Sequence, residues 1–271
     1  MTGSMRVGMR GAQPAGTTGE QDAAAAVQAM FDSIAPRYDL LNHILSGSID
    51  RFWWWRTARR FRQILSQPQT RIADVCCGTG DMTMALLRRR PPQATPVLAI
   101  DFSHQMLVRG AAKFARCGAI AVEADALHLP IADDTLQLLT TAFGFRNLAN
   151  YEGGLREFYR ALAPGGELGI LDFSEPGGVI GKLYAFYFRR VLPRIGRLLS
   201  GASSAYTYLP ASVGRFPSPS EMIAALEGAG FRDARWTPYT FGIAGLYTAR
   251  KPQKMNAEPR QPCWPSVLSG V

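Results

Sequence analysis

Short apolar runs alternate with amphipathic helical patterns along the middle of the chain. Runs typical of buried strands fall at 71–77, 96–101, 119–125, 136–143 and 166–173. Helical spacing falls between several of them, at 81–90, 103–117 and 151–163. Strands that alternate with helices through short connections form parallel sheets, so the pattern predicts an α/β fold with a doubly wound, mostly parallel sheet.

Two further segments have helical spacing but stand outside this alternation. The first spans 30–62, where one helical face carries Phe31, Ile34, Tyr38, Leu41 and Leu45. The second spans 181–199 and has a similar apolar stripe. We interpret both as helical additions that cover a pocket in the α/β domain.

The two ends of the chain show neither strand-like apolar runs nor helical spacing. Residues 1–21 are rich in Gly, Thr and polar side chains, and residues 252–271 are interrupted by Pro, so both are predicted to be flexible tails. The folded domain is expected to span 22–251, with an N-terminal helical cover at 22–65 and an inserted cover at 177–215.

Composition narrows the class of protein. The chain has 271 residues, 47% of them hydrophobic, and a formal net charge of +9. No apolar run approaches the ~18 residues of a membrane span, and the N-terminus lacks the apolar stretch of a secretory signal. The cysteines Cys76, Cys77, Cys117 and Cys263 show no metal-ligand or redox spacing, so we expect a cytoplasmic protein without a metal site.

The sharpest motif is the segment Asp74–Asp81, which reads DVCCGTGD. A strand that ends in Gly-x-Gly and passes directly into a helix lets the backbone approach a ligand closely. A third glycine and a Gly-Lys-Ser/Thr ending are both missing, which disfavours a dehydrogenase or a P-loop. Asp101 ends the next strand, where an acid can accept hydrogen bonds from ribose hydroxyls, and Asp125-Ala126 would lie beside an adenine edge.

These residues resemble the class I S-adenosylmethionine-dependent methyltransferases, with LAPGGELGI at 162–170 as the entry to a late strand. The resemblance implies a seven-stranded Rossmann-like sheet with S-adenosylmethionine as the cofactor. In such enzymes the first-strand acid and the Gly-x-Gly turn hold the methionine part, and the second-strand acid holds the ribose. The implied cofactor residues are Asp74, Gly78, Thr79, Gly80, Asp101, Asp125 and Ala126.

A more specific similarity runs from about residue 30 to 251. The segments FDSIAPRYDLLN (31–42), FGFRNL (143–148), FYRALAPGGELGILDFSEP (158–176) and the stretch from YTYLP (206–210) to residue 231 resemble the UbiE/MenG family of quinone C-methyltransferases. Membership would imply methylation of a polyprenylated quinol. Two positions depart from the family pattern: Ala142 replaces a usual serine, and Ala211 replaces a frequent acid.

Transfer of a methyl group to a quinol carbon needs a phenolate-like ring, a donor near the developing oxyanion and exclusion of water. We predict that Arg146 stabilises the phenolate and that Asn147 orients the ring, unless the pair only pins its loop. Tyr38 is a further catalytic candidate, and Tyr38 and Asn42 are predicted to bind substrate. Asp39 and His43 are weaker alternatives.

Arginines accompany both helical additions. Arg51, Arg56, Arg59, Arg60 and Arg62 flank Trp53-Trp54-Trp55, and Lys182, Arg189, Arg190, Arg194 and Arg197 accompany the second stripe. This composition is compatible with nucleic acid, with a solvated basic face or with an anionic membrane surface. A substrate with an isoprenoid tail favours peripheral membrane contact over nucleic acid.

Several alternatives remain open from the sequence. The ring could be a naphthoquinol, as in demethylmenaquinol, or a benzoquinol of the ubiquinone route. The chain could also methylate another lipid, or be a non-catalytic lipid- or nucleic-acid-binding relative. The oligomeric state, a homodimer included, is not readable from the residues.

Overall fold

The computed structural model describes residues 11–14, 16–35, 49–174, 176, 208 and 211–253. Its elements follow the alternation that the sequence predicts. The helices are α1 (Glu20–Ile34), α2 (Ile49–Arg60), α3 (Arg62–Leu65), α4 (Asp81–Leu87), α5 (His104–Cys117), α6 (Tyr151–Ala161) and α7 (Pro219–Gly228). The strands are β1 (Ile72–Val75), β2 (Val97–Asp101), β3 (Ile120–Glu123), β4 (Leu136–Ala142), β5 (Leu162–Phe173), β6 (Arg232–Tyr239) and β7 (Ala244–Arg250).

The strands form one seven-stranded sheet in the order β3-β2-β1-β4-β5-β7-β6. The five strands from β3 to β5 pair in parallel, and β7 is antiparallel to both of its neighbours. The predicted mostly parallel, Rossmann-like sheet of seven strands is therefore confirmed. The chain leaves β1 toward β2 and returns to β4 on the other side, so the carboxyl ends of β1 and β4 border the crevice where doubly wound folds bind ligands.

Helices cover both faces of the sheet. One apolar cluster joins Leu155 and Phe158 of α6 with Met222 and Leu226 of α7 on the first face. A second cluster joins α2, α3 and α4 on the opposite face, through residues that include Trp53, Phe61 and Met82. Along β1 the side chains alternate between these clusters, with Ile72 in the second and Ala73 in the first.

Local polar contacts fix where the helices begin. Ser103 caps α5 by accepting a hydrogen bond from the Met106 N–H, and Asn150 caps α6 by accepting one from the Gly153 N–H. Ser218 and Glu221 form a capping box at α7. These caps hold α5 and α6 directly beside the loops that follow β2 and β4.

Several boundaries differ from those read off the sequence. β1 ends two residues early because Cys76 has a φ of 57°, outside the extended region. β5 begins at Leu162 instead of 166, because Leu162 already pairs with Leu136 of β4. β6 and β7, whose positions the sequence reading did not assign, complete the sheet.

Two helices of the predicted N-terminal cover, α1 and α2, lie in different places. α2 packs into the core on the sheet face, and its indole Trp53 donates to Thr240 Oγ1 at 2.8 Å. α1 instead borders the crevice. Tyr38, Leu41 and Leu45 of the predicted stripe, and the whole segment 181–199, lie outside the described residues.

Part of the predicted N-terminal tail contacts the domain. The Ala12 N–H donates to Leu148 O at 2.7 Å, and Arg215 donates to Gln13 O. At the other end, Lys251 is the last residue of the predicted domain; it is buried, and its Nζ donates to Asp134 Oδ1 at 2.7 Å. No helix among the described residues is long and apolar enough to cross a lipid bilayer.

Candidate functional site

The turn between β1 and α4 is built from left-handed residues. Cys76, Gly78 and Gly80 have φ values of 57°, 55° and 90°. A Cβ on Gly80 would lie 2.3 Å from the ring of Phe114, so this position also needs glycine for packing. The result is a tight turn that brings the Gly78 backbone to the carboxyl end of β2.

Asp101 meets that turn at the end of β2. Its Oδ2 accepts a hydrogen bond from the Gly78 N–H at 2.7 Å, and its Oδ1 accepts one from the Ser103 N–H at 2.9 Å. Burial raises the pKa of the Asp101 carboxyl to about 6, and the nearby Asp32 carboxylate contributes to the rise. Each oxygen keeps a further lone pair, so a charged Asp101 can accept from the two hydroxyls of a ribose.

α1 is fastened over this part of the site by polar contacts. Ser103 Oγ donates to Asp32 Oδ1 at 2.6 Å, and Gln28 Nε2 donates to Phe102 O at 2.7 Å. Ala24 and Phe31 of α1 line the same pocket as Asp101. α1, which apart from Glu20 and Gln21 falls in the predicted N-terminal cover, is therefore a wall of the pocket.

The pocket has an empty volume of about 710 Å³ that opens to solvent. Its lining comes from the loops after β1, β2, β3 and β4 and from α1: Ala24, Phe31, Cys76, Gly78, Asp101, Phe102, Met106, Ala124, Asp125, Ala126, Leu127, Ala142, Phe143, Gly144, Asn147, Leu148 and Ala149. Small-molecule sites are commonly largely apolar, with a few polar groups that fix orientation. Five predicted site residues meet here: Gly78, Asp101, Asp125, Ala126 and Asn147.

Asp125 and Ala126 border the pocket opposite the glycine turn. Asp125 Oδ1 accepts from the Leu127 N–H at 2.9 Å, which fixes the loop, and the second oxygen lies 3.6 Å from His128 Nδ1. Ala126 is buried beside them. Ala126 and Leu127 make this side of the pocket apolar and Asp101 adds a carboxylate, at the place where the sequence predicts the adenosine half of S-adenosylmethionine.

Three other residues of the predicted cofactor set do not line the pocket. Asp74 is fully buried, where it accepts from Thr83 Oγ1 at 2.6 Å and from Thr140 Oγ1 at 2.9 Å. Burial raises the pKa of Asp74 to about 7. Thr79 Oγ1 accepts from Lys113 Nζ at 3.2 Å, and Gly80 packs on Phe114. In this structure Asp74 fastens β1 to β4 and α4 and so shapes the turn from behind.

The loop after β4 supplies the other predicted residues. Arg146 Nη1 donates to Asp172 Oδ1 at 2.8 Å and also to Phe143 O, while the guanidinium lies over the Phe173 ring. Arg146 is buried and does not line the pocket. Asn147, its neighbour, does line the pocket, and its Oδ1 accepts from the Tyr208 hydroxyl at 3.2 Å.

Tyr38, Asp39, Asn42 and His43 lie outside the described residues, so their predicted roles stay predictions. Cys76 and Cys77 are free thiols, and burial raises the pKa of both well above the usual value, which disfavours the thiolate needed by a nucleophile.

Sequence reasoning did not select two carboxylates that the structure brings to the site, Asp32 and Asp172. Asp32 lies in the FDSIAPRYDLLN segment, where only later positions were chosen. Asp172 directly follows the apolar run 168–171 of β5, and a buried acid is rare unless it has a partner. The position of this acid after an apolar run was the available signal.

The chain is similar to known methyltransferases over most of its length. A model of the ubiE/COQ5 methyltransferase family matches residues 17–251. A demethylmenaquinone methyltransferase of Deinococcus radiodurans is 45% identical over 235 residues, which cover 86% of this chain and 95% of that protein. A ubiquinone/menaquinone biosynthesis C-methyltransferase UbiE of Geotalea daltonii is also 45% identical, over 83% of this chain and 96% of that protein.

A solved structure shows the same fold at low identity. The crystal structure of a SAM dependent methyltransferase from Aquifex aeolicus superposes with a TM-score of 0.52 at 19% identity, covering 72% of this chain and 88% of that one.

The raised pKa of Asp101 predicts that affinity for S-adenosylmethionine depends on pH. Above about pH 6 the carboxylate is charged and can accept from both ribose hydroxyls, whereas below that pH protonation removes an acceptor. We expect the dissociation constant to be flat from pH 7 to about 6.5 and to rise toward about tenfold per pH unit below pH 6. Isothermal titration between pH 5 and 7 would measure it.

Two variants control this titration. Asp101→Asn should weaken binding by about tenfold to a hundredfold at pH 7, as expected for charge-assisted hydrogen bonds, and should remove the pH dependence. Glu123→Gln alters an acid on the neighbouring strand β3 that does not line the pocket, and should leave the curve unchanged. A pH dependence that persists in Asp101→Asn would assign the titration to another group.

Proposed function

The chain belongs to the ubiE/COQ5 methyltransferase family, and from this premise we propose that it transfers a methyl group from S-adenosylmethionine to a ring carbon of a polyprenylated quinol, with demethylmenaquinol as the substrate. The observation that carries the proposal is the shared pocket. Gly78, Asp101 and Asp125 form its cofactor side, and Asn147 lies on the adjoining wall after β4.

The residues of the pocket suit methyl transfer to a flat ring. S-adenosylmethionine supplies a methyl group on a sulfonium, so the protein has to hold the acceptor carbon in line and favour its phenolate form. Phe143, Ala142 and Leu148 make the wall beside Asn147 apolar, which suits contact with a flat hydrophobic ring. We assign Asn147 to the contact with the quinol ring.

Arg146 does not line the pocket, so we assign it a role behind the residues that contact the quinol ring. Its Nη1 already donates to Asp172 and to Phe143 O, so the described contacts make it a residue that sets the loop. The sequence-based role for Arg146, stabilisation of the phenolate, stays part of this proposal. Tyr38 and Asn42 stay candidates for binding the substrate.

The choice of demethylmenaquinol as the substrate rests on the names of two relatives. The protein of Deinococcus radiodurans is named for demethylmenaquinone alone, and that of Geotalea daltonii for both ubiquinone and menaquinone biosynthesis. Both names include the menaquinone route. The benzoquinol of the ubiquinone route is therefore the comparison substrate.

The substrate proposal predicts methyl transfer to reduced demethylmenaquinol but not to its oxidised form, because the quinone ring carbon is electrophilic. Purified protein would be incubated with labelled S-adenosylmethionine and short-chain demethylmenaquinol, its quinone, the 2-polyprenyl-6-methoxy-1,4-benzoquinol, a sterol and a phospholipid. Mass spectrometry would locate the methyl group on the ring. Faster turnover of the sterol or the phospholipid, or cofactor binding with no turnover of either quinol, would contradict the proposal.

In the same assay we expect Arg146→Ala to lower turnover by about a hundredfold or more, because the loop loses its anchor and the site loses a buried charge. The dissociation constant for S-adenosylmethionine should stay within about threefold, since Arg146 does not line the pocket. Arg156→Ala is the matched control: Arg156 is an exposed residue of α6 that pairs with Glu152, and its loss should change neither quantity. Near-normal turnover in Arg146→Ala would refute the assigned role.

We further propose that the protein contacts anionic membranes through an exposed face of α2. Phe52 and Trp55 are 49% and 45% exposed and their rings stack at 5.8 Å. Arg59 and Arg89 lie over the Trp55 ring, and Arg51 and Arg88 border the adjacent groove. Exposed aromatics with cations around them suit the interface of an anionic bilayer, where the tail of the substrate is held.

Liposome flotation tests this face. Binding to vesicles that contain anionic lipid should exceed binding to neutral vesicles and should fall with salt, because each cation near the surface contributes about 1 kcal/mol. Phe52→Ser with Trp55→Ser should reduce flotation by about tenfold or more. Val108→Ser removes another exposed apolar side chain, on α5, and serves as the control. Equal flotation of the double variant and the wild type would exclude this face.

A further inference from the structure

Asp172 is a fully buried carboxylate near the carboxyl end of β5. Its strand pairs with β4 on one side and with β7 on the other, where Asp172 lies opposite Gly245. Three donors reach the carboxylate: Arg146 Nη1 to Oδ1 at 2.8 Å, the Arg146 N–H to Oδ2 at 3.0 Å and the Phe173 N–H to Oδ1 at 2.8 Å. Arg146 is thus held by both its backbone and its side chain.

The segment that Asp172 holds is the short 3-10 turn Phe145–Asn147. The Tyr151 hydroxyl donates to Arg146 O at 2.8 Å from the other side, and the Asn147 N–H donates to Gly144 O at 2.9 Å. Asn147 Nδ2 lies 3.3 Å from Phe143 O, the same carbonyl that Arg146 Nη1 contacts. The orientation of Asn147 therefore depends on where Arg146 is held, together with the Tyr208 hydroxyl that donates to Asn147 Oδ1.

A buried ion pair is a poor way to gain stability alone. Removing two charges from water opposes their attraction, and apolar side chains of similar volume often stabilise a core equally well. The residues on either side of Asp172 are apolar, and the described core around the turn is aromatic: Phe145, Tyr151 and Phe216. Asp172 is a charged residue among apolar ones, and it accepts two hydrogen bonds from Arg146 in the Phe145–Asn147 turn. This arrangement indicates that Asp172 orients the turn.

We propose that Asp172 is a positioning residue for methyl transfer: through Arg146 it fixes the Phe145–Asn147 turn, so that Asn147 faces the acceptor ring in the pocket. This inference rests on the proposed methyltransferase function. Neither Asp172 nor Arg146 lines the pocket. Their contacts reach the turn that carries Asn147, on the acceptor side, and do not include Gly78 or Asp101 on the cofactor side. A change at Asp172 should therefore leave the Gly78–Asp101 contact unchanged.

The test is Asp172→Asn, which keeps the shape of the side chain and removes its charge. One of the two Arg146 donors then meets an amide NH2 group, and the turn loses its fixed position. We expect kcat to fall by about tenfold to a hundredfold, because a displacement of about 1 Å at the reacting groups has effects of that size. The dissociation constant and the stoichiometry for S-adenosylmethionine should stay within about twofold of the wild type.

Asp134→Asn is the matched control. Asp134 also pairs with a cation from another segment, Lys251, and its φ of 55° is one that asparagine readily adopts. It is expected to leave kcat unchanged. A merely structural role of Asp172 gives a different result: the melting temperature and the fraction of protein that binds cofactor fall together, while kcat per cofactor-binding site stays at the wild-type value. That result, or an unchanged kcat, overturns the proposal.

Asp172→Asn leaves Arg146 buried without its carboxylate, which could prevent folding. The double variant Arg146→Met with Asp172→Asn removes both charges, and Met fills the space flexibly. If Asp172 acts through Arg146, single-turnover methyl transfer in this double variant should match that of Arg146→Met within about twofold. A rate about tenfold below Arg146→Met overturns the proposal. Wild-type turnover in the same assay separates this result from a failure of the proposed function.

Discussion

The site depends on the divergence of two neighbouring parallel strands, β1 and β4. The chain after β1 passes into α4 on one face of the sheet, and the chain after β4 passes into α6 on the other, so their loops separate and leave a crevice. Asp74 links the two sides of this crevice within the core, because its two oxygens accept from Thr83 of α4 and Thr140 of β4. The glycine turn and the Phe145–Asn147 turn are thereby held at a fixed separation.

Three buried carboxylates near the carboxyl ends of β1, β2 and β5 have different partners, and the partners decide what each can do. Asp74 has two hydroxyls and no access to the pocket, and burial raises its pKa to about 7. Asp101 has two backbone N–H groups and borders the pocket, with a pKa of about 6. Asp172 has a guanidinium and is closed off from solvent. Only Asp101 combines spare acceptor capacity with access to a ligand.

The sequence predicts the strands well where they are short buried runs, as for β1, β2 and β4, because burial on both faces leaves few polar residues in them. It also brings Gly78, Asp101, Asp125 and Asn147 to one edge, since parallel strands end together. It does not distinguish Asp74 from Asp101. Both are acids at strand ends, and their difference lies in Thr83 and Thr140, whose contacts depend on helix and strand packing. The Arg146–Asp172 pair spans 26 residues and two adjacent strands, so it too becomes visible only when the sheet is assembled.

The run Trp53-Trp54-Trp55 shows how one helix divides between structure and surface. Successive residues of an α-helix point about 100° apart, so three adjacent indoles cannot share one face. Trp53 is 2% exposed and anchored to Thr240, Trp54 is half-buried at the edge of the core, and Trp55 is 45% exposed between arginines. The first indole fixes α2 on the sheet, and this fixed position sets the direction of the third. A basic, aromatic sequence therefore contributes to the core and to an outer surface at once, and the net charge of the chain says less about a partner than the placement of Phe52, Trp55 and their arginines.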